Sequence, residues 1–239
     1  MKRNYYDGYH VTNKYWKEKK AQMPPLDDVT REIIWGFALG TKCFSFPAND
    51  QAIFFKIRRP IQEGDYFRCL LKRVQRYSYT PAPILEIKTS KTNGKLRAVS
   101  LNFKTYPHTY FNQCRDQVYR GVRSFPDAAR LREILTPRVL AHWLMSGAVF
   151  YKKKNTLHLN DLGYRESTGE LANYREISKA LNSVFGLHSQ LYDDGKKIRV
   201  EIPRRDGKLL RTLVGKYMLP SMIYKLPPMP LAKGQREFI

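Results

Sequence analysis

Four adjacent cationic pairs, Arg58-Arg59, Lys72-Arg73, Lys196-Lys197 and Arg204-Arg205, and the run Lys152-Lys153-Lys154 are the side chains of this sequence best suited to one chemistry. Ammonium and guanidinium groups at that density neutralise phosphates, and each contact releases counterions from a nucleic acid. They are the dense points of a general excess: 43 lysines and arginines stand against 21 acidic residues in a chain of 239, a net charge of +22. The excess runs along the whole chain, and a field of that sign draws polyanions. Groups for covalent or metal chemistry do not assemble in the same way. His108, His142, His158 and His188 are separated from one another and from the cysteines, and Cys43, Cys69 and Cys114 have no zinc or disulfide spacing. The cysteines read as thiols in a reducing compartment. Asp193-Asp194-Gly195 reads as a turn, not an acid/base pair. No cofactor and no metal are expected.

The elements that position these charges are legible. Hydrophobic residues make up 42% of the chain, enough for a real core, and no apolar run is long enough to span a membrane. Residues 1–25 form a basic extension rich in tyrosine (Tyr5, Tyr6, Tyr9 and Tyr15, beside Trp16) that stops at Met23-Pro24-Pro25 and lacks the features of a secretory signal or transit peptide. Asp27 and Asp28 then cap a helix that ends at Gly40. Strands are expected in QAIFFKIRRP, PILEIKTS and LRAVSLNFKTY, with Thr92-Asn93-Gly94 as a hairpin turn. HTYFNQCRDQVYR and DAARLREIL read as helices. The pattern restarts at Thr136-Pro137, a capped helix entry. Strands AVFYKKK and TLHLND, helix NYREISKALNSVFG, a hairpin ending in KKIRVEIPR and helix GKLLRTLVGKYM follow, an internal repeat of about 100 residues.

Alternation sorts the strand residues. Ile198, Val200 and Ile202 point one way, with Lys197, Arg199 and Glu201 opposite; Val99, Leu101 and Phe103 oppose Ser100, Asn102 and Lys104. Two such sheets side by side make a concave platform for nucleic acid. The candidate contacts are Lys56, Arg58, Arg59, Lys72, Arg73, Lys104, Lys152, Lys153, Lys154, Lys197, Arg199, Arg204 and Arg205. Trp35 and Trp143 lie inside apolar helical runs and belong to the core.

In order and spacing, EIIWGFALG, LNFKTYPHTYFN, LTPRVLAHWLM and VGKYMLPSMIYKL resemble the LAGLIDADG homing endonucleases and their splicing-maturase relatives, over about Leu26 to Leu226. The resemblance implies an α+β fold of two pseudo-symmetric αββαββα half-domains with saddle-shaped antiparallel sheets, residues 26–134 and 135–228, with a tail at 229–239. It also implies a monomer with an internal pseudo-twofold axis, whose two motif helices pack at the centre. Gly36 and Gly40 on the first helix and His142 and Ser146 on the second take the interface positions, where close approach needs small residues. In active members each motif helix ends in an acid, and the two carboxylates hold divalent metal against the scissile phosphates. Here those positions hold Thr41 and Gly147, with Lys42 and Ser146 beside them. Asp50 and Asp161 are the nearby acids that would have to substitute.

On this reading the chain is expected not to be an enzyme. It would bind structured RNA, as a component of an organellar ribosome or ribonucleoprotein in the mitochondrial matrix, with rRNA as partner and ribosomal proteins held by the terminal extensions. Three alternatives stay open: a maturase bound to intron RNA, a DNA endonuclease active through other ligands, and a DNA-binding regulator.

Overall fold

The computed structural model describes residue 18 and residues 22–41, 43–45, 53–78, 82–89, 96–120, 122–123, 125–159, 170–193 and 198–228. Lys42, Asp50, Asp161, Lys196, Lys197, the Thr92-Asn93-Gly94 turn, the tyrosines before Trp16 and the tail 229–239 lie outside these residues. By its internal contacts the chain divides into two units, Met1–Thr30 with Cys43–Arg115, and Arg31–Lys42 with Asp116–Ile239. This division differs from a cut after residue 134, because the first motif helix and residues 116–134 group with the second unit.

In the first unit, helix α1 (Asp28–Gly40) starts where the Asp27 carboxylate accepts the Thr30 amide at 2.7 Å. That hydrogen bond holds the Asp27 carboxyl below the usual carboxylate range. Strands β1 (Phe44–Ser45), β2 (Phe54–Pro60), β3 (Ile84–Thr89) and β4 (Leu96–Lys104) form an antiparallel sheet in the order β1-β2-β4-β3. Phe55 and Ile57 are fully buried while Lys56 and Arg58 face outward, the period-two pattern of a half-covered sheet. The covering element is helix α2 (Gly64–Val74), which buries Tyr66, Phe67, Leu70 and Val74. The sequence reading contains no helix there.

In the second unit, helix α3 (Thr109–Val118) leads from the first unit into the short pair β5 (Tyr119–Arg120) and β6 (Val122–Arg123), and helix α4 (Ala128–Ile134) follows, capped by Asp127. Helix α5 (Pro137–Gly147) begins as expected, with the Thr136 hydroxyl accepting the Val139 amide and Pro137 in the first turn. Strands β7 (Ala148–Tyr151), β8 (Thr156–Leu159), β9 (Gln190–Asp193) and β10 (Ile198–Pro203) form a sheet in the order β7-β8-β10-β9, the same order as the first sheet. Helix α6 (Glu170–Phe185), ended by left-handed Gly186, and helix α7 (Gly207–Val214) complete the repeat. No helix among the described residues is long and apolar enough to cross a membrane.

Residues of α1 from Arg31 onward pack against α5 inside this unit, and the contact leaves no room for side chains. A Cβ on Gly36 would lie inside the Val139 carbonyl oxygen's contact radius and 2.6 Å from the His142 Cβ; one on Gly40 would overlap the Ser146 hydroxyl and sit 2.9 Å from its Cβ. Ser146 Oγ donates within its own helix to the Trp143 carbonyl at 3.0 Å. Glu32 ties the helix starts together, accepting from the Thr136 hydroxyl at 2.6 Å and from Arg138. Trp35 and Trp143 are both buried, as their apolar surroundings in the sequence implied.

The two glycines give a test by double mutation. At Gly36 the obstacle is backbone, so Gly36→Ala is expected to cost about 1–3 kcal/mol of overpacking, more than the roughly 1 kcal/mol an alanine adds to helix propensity. At Gly40 the nearest obstacle is a hydroxyl. Urea unfolding should therefore show Gly40→Ala to be less damaging in a Ser146→Ala background, whereas Gly36→Ala, whose nearest obstacle is the Val139 carbonyl, should not be rescued there.

Candidate nucleic-acid interface

On the first sheet, the face not covered by α2 carries a graded set of side chains. Lys56 lies directly opposite Lys104, Arg58 opposite Asn102, which is in turn opposite Ile84, and Pro60 opposite Ser100, which is opposite Glu86. Two like charges in direct register repel, so the Lys56–Lys104 pair concentrates positive potential at this point of the face. Burial, and then the charge of Lys56, hold the Lys104 ammonium below its usual value, and its Nζ lies 3.8 Å from the Phe54 ring centroid. The neighbouring row is self-satisfied. Glu86 accepts from the Ser100 hydroxyl at 2.5 Å and pairs with Arg58, whose Nε also reaches Ser100 at 3.3 Å. The Ser100 hydrogen bond first, and then Arg58 and Lys88, hold the Glu86 carboxyl below its ordinary value of 4.5. The network is therefore complete above that value and is lost only as pH falls through the depressed one.

On the second sheet, Val149, His158, Glu201 and Gln190 form one cross-strand row on the face opposite buried Ile198, Val200 and Ile202. Lys154 and Arg199 both sit over the Tyr192 ring, at 4.4 and 4.5 Å from its centroid. Alternation placed Glu201 facing outward, yet it is buried, with His158 beside it. The His158 Nε2 is 2.9 Å from the Thr156 hydroxyl and 3.0 Å from Glu201 Oε1, and the Tyr151 ring stacks over the imidazole at 4.1 Å. Glu201 Oε1 makes no hydrogen bond among the described residues and lies against the imidazole. His188 also has a carboxylate partner, Asp206, at 2.8 Å. Separation in sequence hid both partnerships.

The remaining predicted contacts scatter. Lys152, Lys153 and Lys154 form an exposed turn between β7 and β8, and Arg204 reaches that turn through Asn155 at 3.2 Å, with Arg205 exposed beside it. Lys72 and Arg73 are exposed on α2, which covers the opposite face of the first sheet. Arg59 corrects the expectation outright: it points inward, buried, paired with Glu63 and lying 5.5 Å from the Tyr66 ring centroid. Adjacent residues of a strand face opposite ways, so Arg58 and Arg59 were bound to separate. At the helix ends, the Thr41 amide extends the first motif helix by donating to the Phe37 carbonyl, and Gly147 is the last residue of α5. A hard divalent ion wants anionic oxygens, whereas this pair offers one hydroxyl and no second side chain. Among the described residues no group of three histidines, cysteines or acids is placed to hold a metal. Thr41 and Gly147 by themselves do not fit such an ion.

Comparison with known proteins sets this geometry in a family. The pattern of the LAGLIDADG DNA endonuclease family matches residues 31–210. A "probable intron-encoded endonuclease 1" of Wickerhamomyces canadensis is 23% identical over 224 residues, covering 92% of this chain and 93% of that protein. A "probable intron-encoded DNA endonuclease 3" of Mycosarcoma maydis is 27% identical over 129 residues, covering 52% of this chain and 91% of that protein. Among solved structures, that of the homing endonuclease I-WcaI bound to its DNA recognition sequence matches with a TM-score of 0.75 at 22% identity, covering 91% of this chain and 94% of that one. The chain has the α+β LAGLIDADG-like fold. The expectation that it is not an enzyme is overturned by these relatives, which carry endonuclease names, and by a structural match that is a DNA-bound homing endonuclease.

The Arg58–Glu86 contact predicts a gain-of-binding variant. Glu86→Gln removes a negative charge from the open face and frees one guanidinium. Fluorescence anisotropy over a salt series should show tighter binding to duplex DNA at neutral pH, with the log–log salt slope steeper by about 0.9 for the one added phosphate contact.

Proposed function

The chain belongs to the LAGLIDADG DNA endonuclease family, and from that premise we propose that it binds duplex DNA on the open faces of its two sheets and cleaves it as an endonuclease of the intron-encoded kind. The observation that supports the binding surface best is the Lys56–Lys104 pair, two cations in direct register on an uncovered sheet face. The two ammonium groups repel one another, and a polyanion on this face would be attracted by both. Lys154 and Arg199, gathered over Tyr192, give the second sheet its own cationic cluster. The names of the relatives support cleavage. Because Thr41 and Gly147 supply no carboxylate, the groups that carry the cut lie elsewhere in the chain.

A second reading, structured RNA of an organellar ribonucleoprotein in the mitochondrial matrix, is favoured by one feature. Tyr151 is 42% exposed on the open face of the second sheet, where an unpaired base can stack.

Two measurements test the proposal. A randomised duplex library is incubated with the full chain under several divalent-cation conditions and the ends are sequenced; recurrent breaks at one motif are expected, and binding without any site-specific break under every condition overturns the cleavage proposal. Lys104→Ala should weaken DNA binding several-fold and lower the salt slope by about 0.9.

A further inference from the structure

On the open face of the first sheet, one row differs from its neighbours in what it leaves unused. Arg58 and Glu86 pair with one another and share Ser100, so the Glu86 carboxylate and the Nε and one terminal amine of Arg58 are already engaged. Asn102 is different. The only hydrogen bond of its side chain among the described residues is a long one, Nδ2 to Ser100 Oγ at 3.4 Å, which leaves the carbonyl oxygen and the second amide hydrogen for a ligand. Directly opposite Asn102 on β3 stands Ile84, 41% exposed, an apolar group in direct register with the amide. Side chains in direct register have Cβ atoms about 5 Å apart, so an amide and a branched hydrocarbon are offered side by side.

We propose that Asn102 and Ile84 together read one A·T step in the major groove of the DNA lying on the first sheet. The amide oxygen accepts from adenine N6, the amide nitrogen donates to adenine N7, and Ile84 packs against the adjoining thymine C5-methyl. Lys56 and Lys104, in the next row, hold the backbone that brings this edge into reach. The inference rests on the duplex-DNA reading above and adds to it a base identity. It also separates DNA from RNA, because uracil lacks the methyl and the A-form major groove is too narrow for side chains to enter.

The test begins by selecting duplexes from a random library with the full chain. An invariant A·T pair is expected in the selected sites. Replacing its thymine by deoxyuridine should weaken binding about fourfold, the value of one buried methyl. Asn102→Ala should abolish preference at that pair by about tenfold or more and leave other positions unchanged. Ile84→Ala should make thymine and deoxyuridine equivalent, and Lys56→Ala should weaken all duplexes alike. Indifference of the wild-type protein to deoxyuridine at every selected A·T pair overturns the inference without recourse to any variant. So does an Asn102→Ala protein with unchanged preferences. Failure to bind duplex at all, or preference for the matching RNA, overturns the DNA reading itself and this inference with it, and is distinguishable from duplex binding that lacks the A·T response.

Discussion

The close approach of α1 to α5 is the constraint from which the second unit is built. Gly36 and Gly40 meet the Val139 carbonyl and the Ser146 hydroxyl with no space for a Cβ, and Glu32 locks the two helices through Thr136 and Arg138. Where α5 stops, β7 starts without a loop, so the seating of the helix sets where the second sheet begins. Ser146 shows how tightly this is tuned. Its hydroxyl turns back to the Trp143 carbonyl and fills the space that Gly40 leaves open.

Each sheet then carries two chemistries on two faces. The inward face of the first sheet is aromatic and aliphatic, and it takes in one charge, Arg59, only because Glu63 and the Tyr66 ring receive it. The open face sets Lys56 in direct register with Lys104, with the Lys104 ammonium over the Phe54 ring. Between these extremes, the Arg58–Glu86–Ser100 cluster neutralises itself and leaves Asn102 and Ile84 as the groups with unspent capacity.

Much of this was legible in the sequence, and what was not has physical reasons. Thr136-Pro137 and Asp27 announced two helix starts because capping is local chemistry. Alternation showed which way the residues of β4 and β10 face, and the restart at Thr136-Pro137 showed the repeat. Helix α2 was missed because it has no side-chain cap at Glu63, follows directly on a strand and an intervening turn, and opens on aromatic residues that also suit a strand. Its buried set, Tyr66, Phe67, Leu70 and Val74, had helical spacing and could have revealed it. Arg59 was misplaced by treating Arg58-Arg59 as one surface pair; strand alternation and Glu63 four residues on pointed inward. The burial of Glu201 beside His158 was not legible at all, since cross-strand register is set by the fold. Charge and motif spacing gave a nucleic-acid-binding LAGLIDADG fold, but the two residues at the motif helix ends were given more weight than the family around them.

The central claim is that the open sheet faces, and not the helical layer, carry the nucleic acid. Reductive methylation of lysines, read by mass spectrometry with and without a selected duplex, tests it most directly. Protection of Lys56, Lys104 and Lys154 with Lys72 on α2 still reactive is the predicted result; protection of Lys72 with Lys56 and Lys104 unchanged would contradict it.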